Sequence, residues 1–86
     1  MAQTFRLQLI SQTKKLYEGE VTSLVAPGTE GYLGVLAHHA PLITGLIPGT
    51  VTYRTTDGES AEQRITGGFL EVSHNEAVIL VDDLAE

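Results

Sequence analysis

Cysteine is absent from this 86-residue sequence. Its absence excludes a disulfide framework and a thiolate metal site, two devices that stabilise many small domains. Because nothing in the composition suggests secretion, the sequence favours an intracellular setting. Stability must come from a hydrophobic core, and the 42% of hydrophobic residues is typical of a globular domain rather than a disordered chain.

Basic residues are also few. Five Lys and Arg stand against eleven Asp and Glu, which gives a net charge of −6. An acidic chain of this kind repels the phosphate backbone of a nucleic acid, so nucleic-acid binding is disfavoured. The basic residues form no run along the chain: they are Arg6, Lys14, Lys15, Arg54 and Arg64.

Long apolar runs are missing as well. No stretch approaches the roughly 20 apolar residues that a membrane-spanning helix needs, and the N-terminus lacks the pattern of a signal peptide. Any association with a membrane is therefore expected to depend on a partner. The length predicts a single domain over residues 1–86, and a domain this small favours a function carried by its surface rather than by a deep cavity.

The sequence shows no helical periodicity of apolar residues. Apolar and polar residues alternate instead. Phe5, Leu7 and Leu9 alternate with polar residues, as in a strand with one buried face. Turn signals then recur about every ten residues, among them a predicted two-residue hairpin turn at Asp57 and Gly58. The sequence predicts an all-β fold, an antiparallel β-sandwich of about eight to ten short strands.

One pair of glycines and one apolar segment require separate interpretations. Gly67 and Gly68 permit a sharp bend or a bulge. Residues 77–81 (AVILV) are continuously apolar, which predicts a strand covered on both faces. Two covers for its second face remain open, a loop of the same domain or another subunit.

Two adjacent histidines, His38 and His39, are the candidates for a metal ligand or a general base. Neighbouring side chains in an extended segment point to opposite faces, so the pair does not converge on one ion. One alternative is that His38 is solvated while His39 packs where the chain turns. Another is that the ring of His39, next to Pro41, contacts another protein. A small β-barrel that binds a metal or ligand at His38, His39 and His74 remains the alternative function.

The sequence shows no set of residues for catalysis or nucleotide binding. Gly28, Gly31 and Gly34 recur every third residue, but they do not follow the GxxxxGK[ST] order and open no helix. They are interpreted as positions that need positive φ or close backbone approach. Since no serine lies in a GxSxG context and no nucleophile has an evident base, we predict neither catalytic residues nor a cofactor or metal.

Residues 27–49, PGTEGYLGVLAHHAPLITGLIPG, resemble the signature region of the epsilon subunit of bacterial F-type ATP synthases. FRLQLIS, YEGEV, GGFLEV and VILVDDLAE are similar to the same family in the same order, so the resemblance covers essentially the whole chain. It implies a β-sandwich that is a non-catalytic rotor subunit of the central stalk. Such a subunit binds the gamma subunit and the c-subunit ring and couples proton translocation to ATP synthesis.

The resemblance also implies two contact sites and a location. Tyr32 departs from the acidic or polar residue of many relatives, so its ring would replace a charged contact by packing and a hydrogen bond. The implied location is peripheral, at the cytoplasmic face of the bacterial plasma membrane. The c-ring contact is the glycine loop, residues Gly28, Thr29, Glu30, Gly31 and Tyr32, and the gamma contact is the histidine stretch, residues His39, Ala40, Pro41, Leu42 and Thr44.

Most relatives in this family continue past the position of Glu86 into a C-terminal domain of two helices. Those helices can extend into the catalytic head and inhibit it. A chain of 86 residues would lack them, so the expected subunit couples the rotor to the ring without acting as the usual inhibitor.

Overall fold

The computed structural model describes residues 3–82, and within that range it contains eight strands and no helix. The all-β prediction is confirmed. None of these residues forms a helix able to cross a bilayer. The strands are β1 (Phe5–Ile10), β2 (Lys15–Gly28), β3 (Gly31–Val35), β4 (Leu42–Leu46), β5 (Gly49–Thr55), β6 (Ser60–Ile65), β7 (Gly68–Ser73) and β8 (Glu76–Val81).

Strand β2 is long enough to serve both layers of the fold. Residues 15–21 pair antiparallel with β1, and the later residues pair with β5 and β3. The order of strands is β1-β8-β7-β4-β2-β5-β6, with β3 beside β2. Because β1 also pairs with β2, the sheet folds over on itself and encloses one core. The antiparallel prediction has one exception, since β1 and β8 run parallel.

The core follows from the alternation of side chains along each strand. Phe5, Leu7 and Leu9 of β1 are at most 2% exposed. Burying an aliphatic or aromatic side chain of this size contributes about 1.5–3 kcal/mol. No charged side chain is buried among residues 3–82. The other core residues are Val21, Leu24, Ala26, Val35, Leu46, Val51, Tyr53, Ile65, Leu70, Val72, Ala77, Ile79 and Val81.

The bend predicted at Gly67 and Gly68 is confirmed, and close packing explains it. The two residues have φ of 148° and 151°. A Cβ atom on Gly68 would lie 2.1 Å from the carbonyl oxygen of Leu80. The backbones of β7 and β8 therefore approach each other too closely at this point for any residue except glycine.

The hairpin between β5 and β6 differs from the prediction. The amide of Thr55 donates to the carbonyl oxygen of Glu59 at 2.8 Å, so the loop consists of the three residues 56–58. The prediction of a two-residue turn at Asp57 and Gly58 is wrong. Asp57 instead accepts a hydrogen bond from the Thr55 hydroxyl, which holds its pKa below the ordinary value, and Gly58 adopts φ of 91°.

Of the two covers predicted for the outer face of residues 77–81, a loop of the same domain is not found among residues 3–82. Cover by another subunit stays a prediction. Ile79 and Val81 are fully buried, whereas Leu80 is 44% exposed and Val78 is half-buried. The inner face of β8 belongs to the core, since Ala77, Ile79 and Val81 are fully buried. Its outer face carries apolar side chains to the surface of the molecule.

Candidate functional site

A groove with a volume of about 460 Å³ brings the two predicted contact sites together. All of the glycine loop, residues 28–32, contributes to the lining of this groove. Glu30 is the only side chain of its described lining with a formal charge at neutral pH. The exposed Ala40 and Pro41 are not part of the lining. The lining also includes three members of the histidine stretch, His39, Leu42 and Thr44.

The glycine loop is the tip of the hairpin formed by β2 and β3. Gly28 pairs with Gly31 at the end of that hairpin, which leaves Thr29 and Glu30 exposed at the turn. Gly31 has φ of 120°, and a Cβ on Gly28 would lie 3.0 Å from the backbone carbonyl oxygen of Gly31. The interpretation of these glycines therefore holds at Gly28 and Gly31. It is wrong at Gly34, which has neither positive φ nor a close neighbour.

Tyr32 folds back toward the start of β5 although 61% of the residue is exposed. Its hydroxyl oxygen accepts a hydrogen bond from the amide of Thr50 at 3.1 Å. A Cβ atom on Gly49 would lie 2.7 Å from that oxygen and 2.8 Å from Pro27 Cβ. Gly49 therefore leaves the space that the hydroxyl occupies, and only part of the ring remains available to a partner.

Asn75 positions the loop that leads into the histidine stretch. Its Oδ1 accepts from the amide of His38 at 2.7 Å, and its Nδ2 donates to the carbonyl oxygen of Thr4 at 2.9 Å. His38 has φ of 63°, and Asn75 itself has φ of 58° in the turn between β7 and β8. Asn75 thus joins three segments of the chain, a role that the hydrophobic pattern of the sequence does not indicate.

His39 is exposed rather than packed into the core. Its Nδ1 lies 2.7 Å from the carbonyl oxygen of Ala40. In the neutral ring this contact requires the proton on Nδ1, so Nε2 is left as a hydrogen-bond acceptor. The metal alternative gains no support from the geometry, because no three metal-ligating side chains converge in the part of the chain that the structure describes.

A second surface adjoins the groove. The sequence predicted only the part of it that β8 contributes. Phe69 of β7 pairs with Gly45 of β4 on one side and with Leu80 of β8 on the other, and Leu80 pairs with Ile10 of β1. Phe69 is 60% exposed, and Ile43 of β4 is 74% exposed. Ile43 also lines the groove, so the two surfaces are continuous. We call this surface the apolar face; it consists of Ile10, Ile43, Phe69, Val78 and Leu80. One carboxylate, that of the exposed Glu71, lies on the same face between Ile43 and Val78.

Polar side chains surround the apolar face on the side of β1 and β2. Gln8 Nε2 donates to Glu76 Oε2 at 2.8 Å. Further along, Glu18 forms ion pairs with Lys15 and Arg6. Hydrogen bonds from Lys15 and then Arg6 hold the pKa of Glu18 below its ordinary value. An apolar centre with a polar border is the usual composition of a protein–protein interface.

Comparison with known proteins gives consistent results. The family described as ATP synthase, Delta/Epsilon chain, beta-sandwich domain matches residues 4–86. The ATP synthase epsilon chain of Dichelobacter nodosus is 40% identical over 85 residues, which are 99% of this chain and 59% of that protein. The Brucella anthropi epsilon chain is 39% identical over 82 residues, 95% of this chain and 61% of its own length. The chain thus spans about three fifths of these curated relatives.

Solved structures share the fold. A chain in the cryo-EM structure of Euglena gracilis mitochondrial ATP synthase, described as OSCP/F1/c-ring, matches with a TM-score of 0.89 and 25% identity, over 95% of this chain and 52% of that one. A chain of the Tetrahymena thermophila mitochondrial ATP synthase central stalk and c-ring matches with a TM-score of 0.81, over 99% and 68% of the two chains. Its 24% identity shows similarity of fold alone.

Proposed function

Since the chain belongs to the family of ATP synthase delta/epsilon-chain β-sandwich domains, we propose that it is a non-catalytic rotor subunit of an F-type ATP synthase. In this role it binds the gamma subunit and the c-subunit ring in the central stalk. Proton translocation through the ring is thereby coupled to ATP synthesis in the head. Its location is peripheral, at the cytoplasmic face of a bacterial plasma membrane, and it reaches the membrane through its partners.

The observation that carries the proposal is the apolar face. Phe69, Leu80 and Ile43 expose large apolar side chains on neighbouring strands of one side of the sandwich. Several large apolar side chains exposed together on a small domain are unfavourable in water and usually mark an interaction site, even with one carboxylate, Glu71, among them. The gamma subunit is the proposed cover, because the apolar face continues at Ile43 into the groove lined by the histidine stretch.

Strand geometry refines the proposed gamma contact. Leu42 and Thr44 pair with the core residues Val72 and Leu70 and are partly buried. Ile43 lies between them and points outward, opposite Glu71. The proposed contact therefore includes Ile43, together with His39 at the groove, and Leu42 and Thr44 contribute mainly by shaping the strand that presents Ile43.

The c-ring contact is proposed at the glycine loop. Thr29 and Glu30 are exposed at the tip of a hairpin, which suits contact with the polar ends of the c subunits. The amide of Thr29 donates to the carbonyl oxygen of Gly45 at 3.2 Å. This bond links the proposed ring contact directly to β4, the strand that carries the proposed gamma contact.

The test is complex formation with cognate partners. The purified chain is mixed with the gamma subunit from the same source and analysed by size-exclusion chromatography with light scattering. We expect a one-to-one complex. Clean separation of the two proteins at micromolar concentration would overturn the rotor assignment, because a stalk subunit requires a stable attachment to gamma.

A further inference from the structure

We propose that Tyr32 is a positioning residue that holds the glycine loop against β5, so that Thr29 and Glu30 meet the c ring in one fixed orientation. This inference rests on the proposed ring contact and adds how the contact is oriented. Tyr32 holds the loop by a bond to the backbone of the same chain: its hydroxyl oxygen accepts a hydrogen bond from the amide of Thr50 at 3.1 Å.

Burial does not explain the conformation of Tyr32. With 61% of the residue exposed, the ring gains little from its packing. Its hydroxyl nevertheless occupies the space beside Gly49 and Pro27, where a Cβ on Gly49 would approach within 2.7 Å. The hydrogen bond to Thr50 and the absence of a side chain at Gly49 together account for a tyrosine that folds back instead of extending into solvent.

The loop is tied on two sides. On one side, the amide of Thr29 donates to Gly45 of β4 at 3.2 Å. On the other side, Tyr32 joins the loop to Thr50, which pairs with Arg64 in the β5–β6 hairpin. The two ties reach different parts of the sheet, so together they restrict rotation of the hairpin tip more than either alone.

A fixed tip matters for binding because a mobile loop loses conformational entropy when it docks. The Tyr32 hydroxyl retains its own hydrogen after accepting from Thr50. It can therefore donate one hydrogen bond to a partner without releasing the loop. Tyr32 can therefore position the glycine loop and also contact the c ring. The positioning of the loop is measurable in the isolated chain, without any partner.

The first measurement is amide hydrogen exchange by NMR on the isolated chain. Tyr32→Phe removes the acceptor and keeps the ring, and we expect exchange at Thr50 to accelerate about three- to tenfold, the effect of losing one ordinary hydrogen bond. Tyr17→Phe is the matched control, since it removes a hydroxyl that lies against Gly19 rather than Thr50. Unchanged exchange at Thr50 in Tyr32→Phe would overturn the inference, whatever the partners do.

The second measurement separates positioning from general stability. We expect Tyr32→Phe to lower retention on the purified c ring severalfold while gamma affinity stays within twofold. An equal loss for both partners would show a merely structural role and overturn the inference. If the wild-type chain fails to bind the ring, the proposed function itself fails. Wild-type binding with an unaffected Tyr32→Phe variant would instead overturn this inference alone.

Discussion

Strands β8 and β6 have the same length of six residues, yet their outer faces differ. Strand β6 exposes Glu62 and Arg64, and among the strands of residues 3–82 it is an edge strand that pairs only with β5. Charges on an edge oppose unwanted pairing with another chain. Strand β8 has neighbours on both sides and presents Leu80 outward. The inner faces of both strands pack toward the interior. The outer face of β6 is solvated, whereas the outer face of β8 is proposed to contact a partner.

The largest effect is expected from two adjacent residues on opposite faces of β8. Ile79→Ala should lower the free energy of unfolding by about 2–5 kcal/mol, because it leaves a cavity in the core. Leu80→Ala should lower it by less than about 1 kcal/mol, since its side chain is already partly in water. Urea denaturation followed by circular dichroism measures both values. Equal losses would mean that the two faces of β8 do not differ as described.

The next prediction concerns binding. Phe69→Glu places a charge at the centre of the apolar face, and we expect it to weaken gamma binding about thirtyfold or more, a loss of roughly 2 kcal/mol as at an interface hot spot. Ser60→Glu is the matched control: it adds the same charge to the exposed face of β6. Calorimetry gives both affinities. Similar losses in the two variants would indicate long-range charge repulsion and not an interface at Phe69.

His39→Asp tests whether the interface continues from the apolar face into the groove. We expect gamma affinity to fall about five- to tenfold, as for a moderate interface residue, because Asp places a second negative charge in the groove that contains Glu30. The fold should be preserved, since His39 is exposed. His38→Asp is the control, because His38 is exposed but does not line the groove. Unchanged affinity in His39→Asp would move the interface away from the groove.

The smallest effect is expected at the polar border. Hydrogen bonds from Lys15 and Arg6 lower the pKa of Glu18 from its ordinary value of 4.5. A lowered pKa in the folded state means that the carboxylate stabilises the fold above pH 4.5, and that this contribution disappears as the pH falls through the folded-state pKa. Thermal unfolding of Glu18→Gln should therefore depend less on pH than wild type between about pH 6 and 3. Parallel curves for the two proteins would contradict the prediction.

Local patterns were sufficient to predict most strands and several turns. Alternation at Phe5, Leu7 and Leu9 depends only on which side chains avoid water, so it predicts β1 correctly. The turn at Asp57 was placed correctly but given the wrong length, because its side chain bonds to Thr55 and stabilises a three-residue loop. Hydrogen bonds from a side chain to neighbouring residues are not visible in a hydrophobic pattern.

Side-chain patterns and the order of motifs along the chain were enough to predict the all-β fold class, the family and a doubly apolar strand at residues 77–81. The three-dimensional arrangement of the strands was needed to show that the outer face of this strand joins Phe69 and Ile43 in one surface. It was also needed to show that the glycine loop and His39 line one groove and that Asn75 holds the intervening loop. The physical reason is that alternation records the burial of each residue separately, whereas a shared surface depends on strand order and register, which bring together residues far apart in the chain.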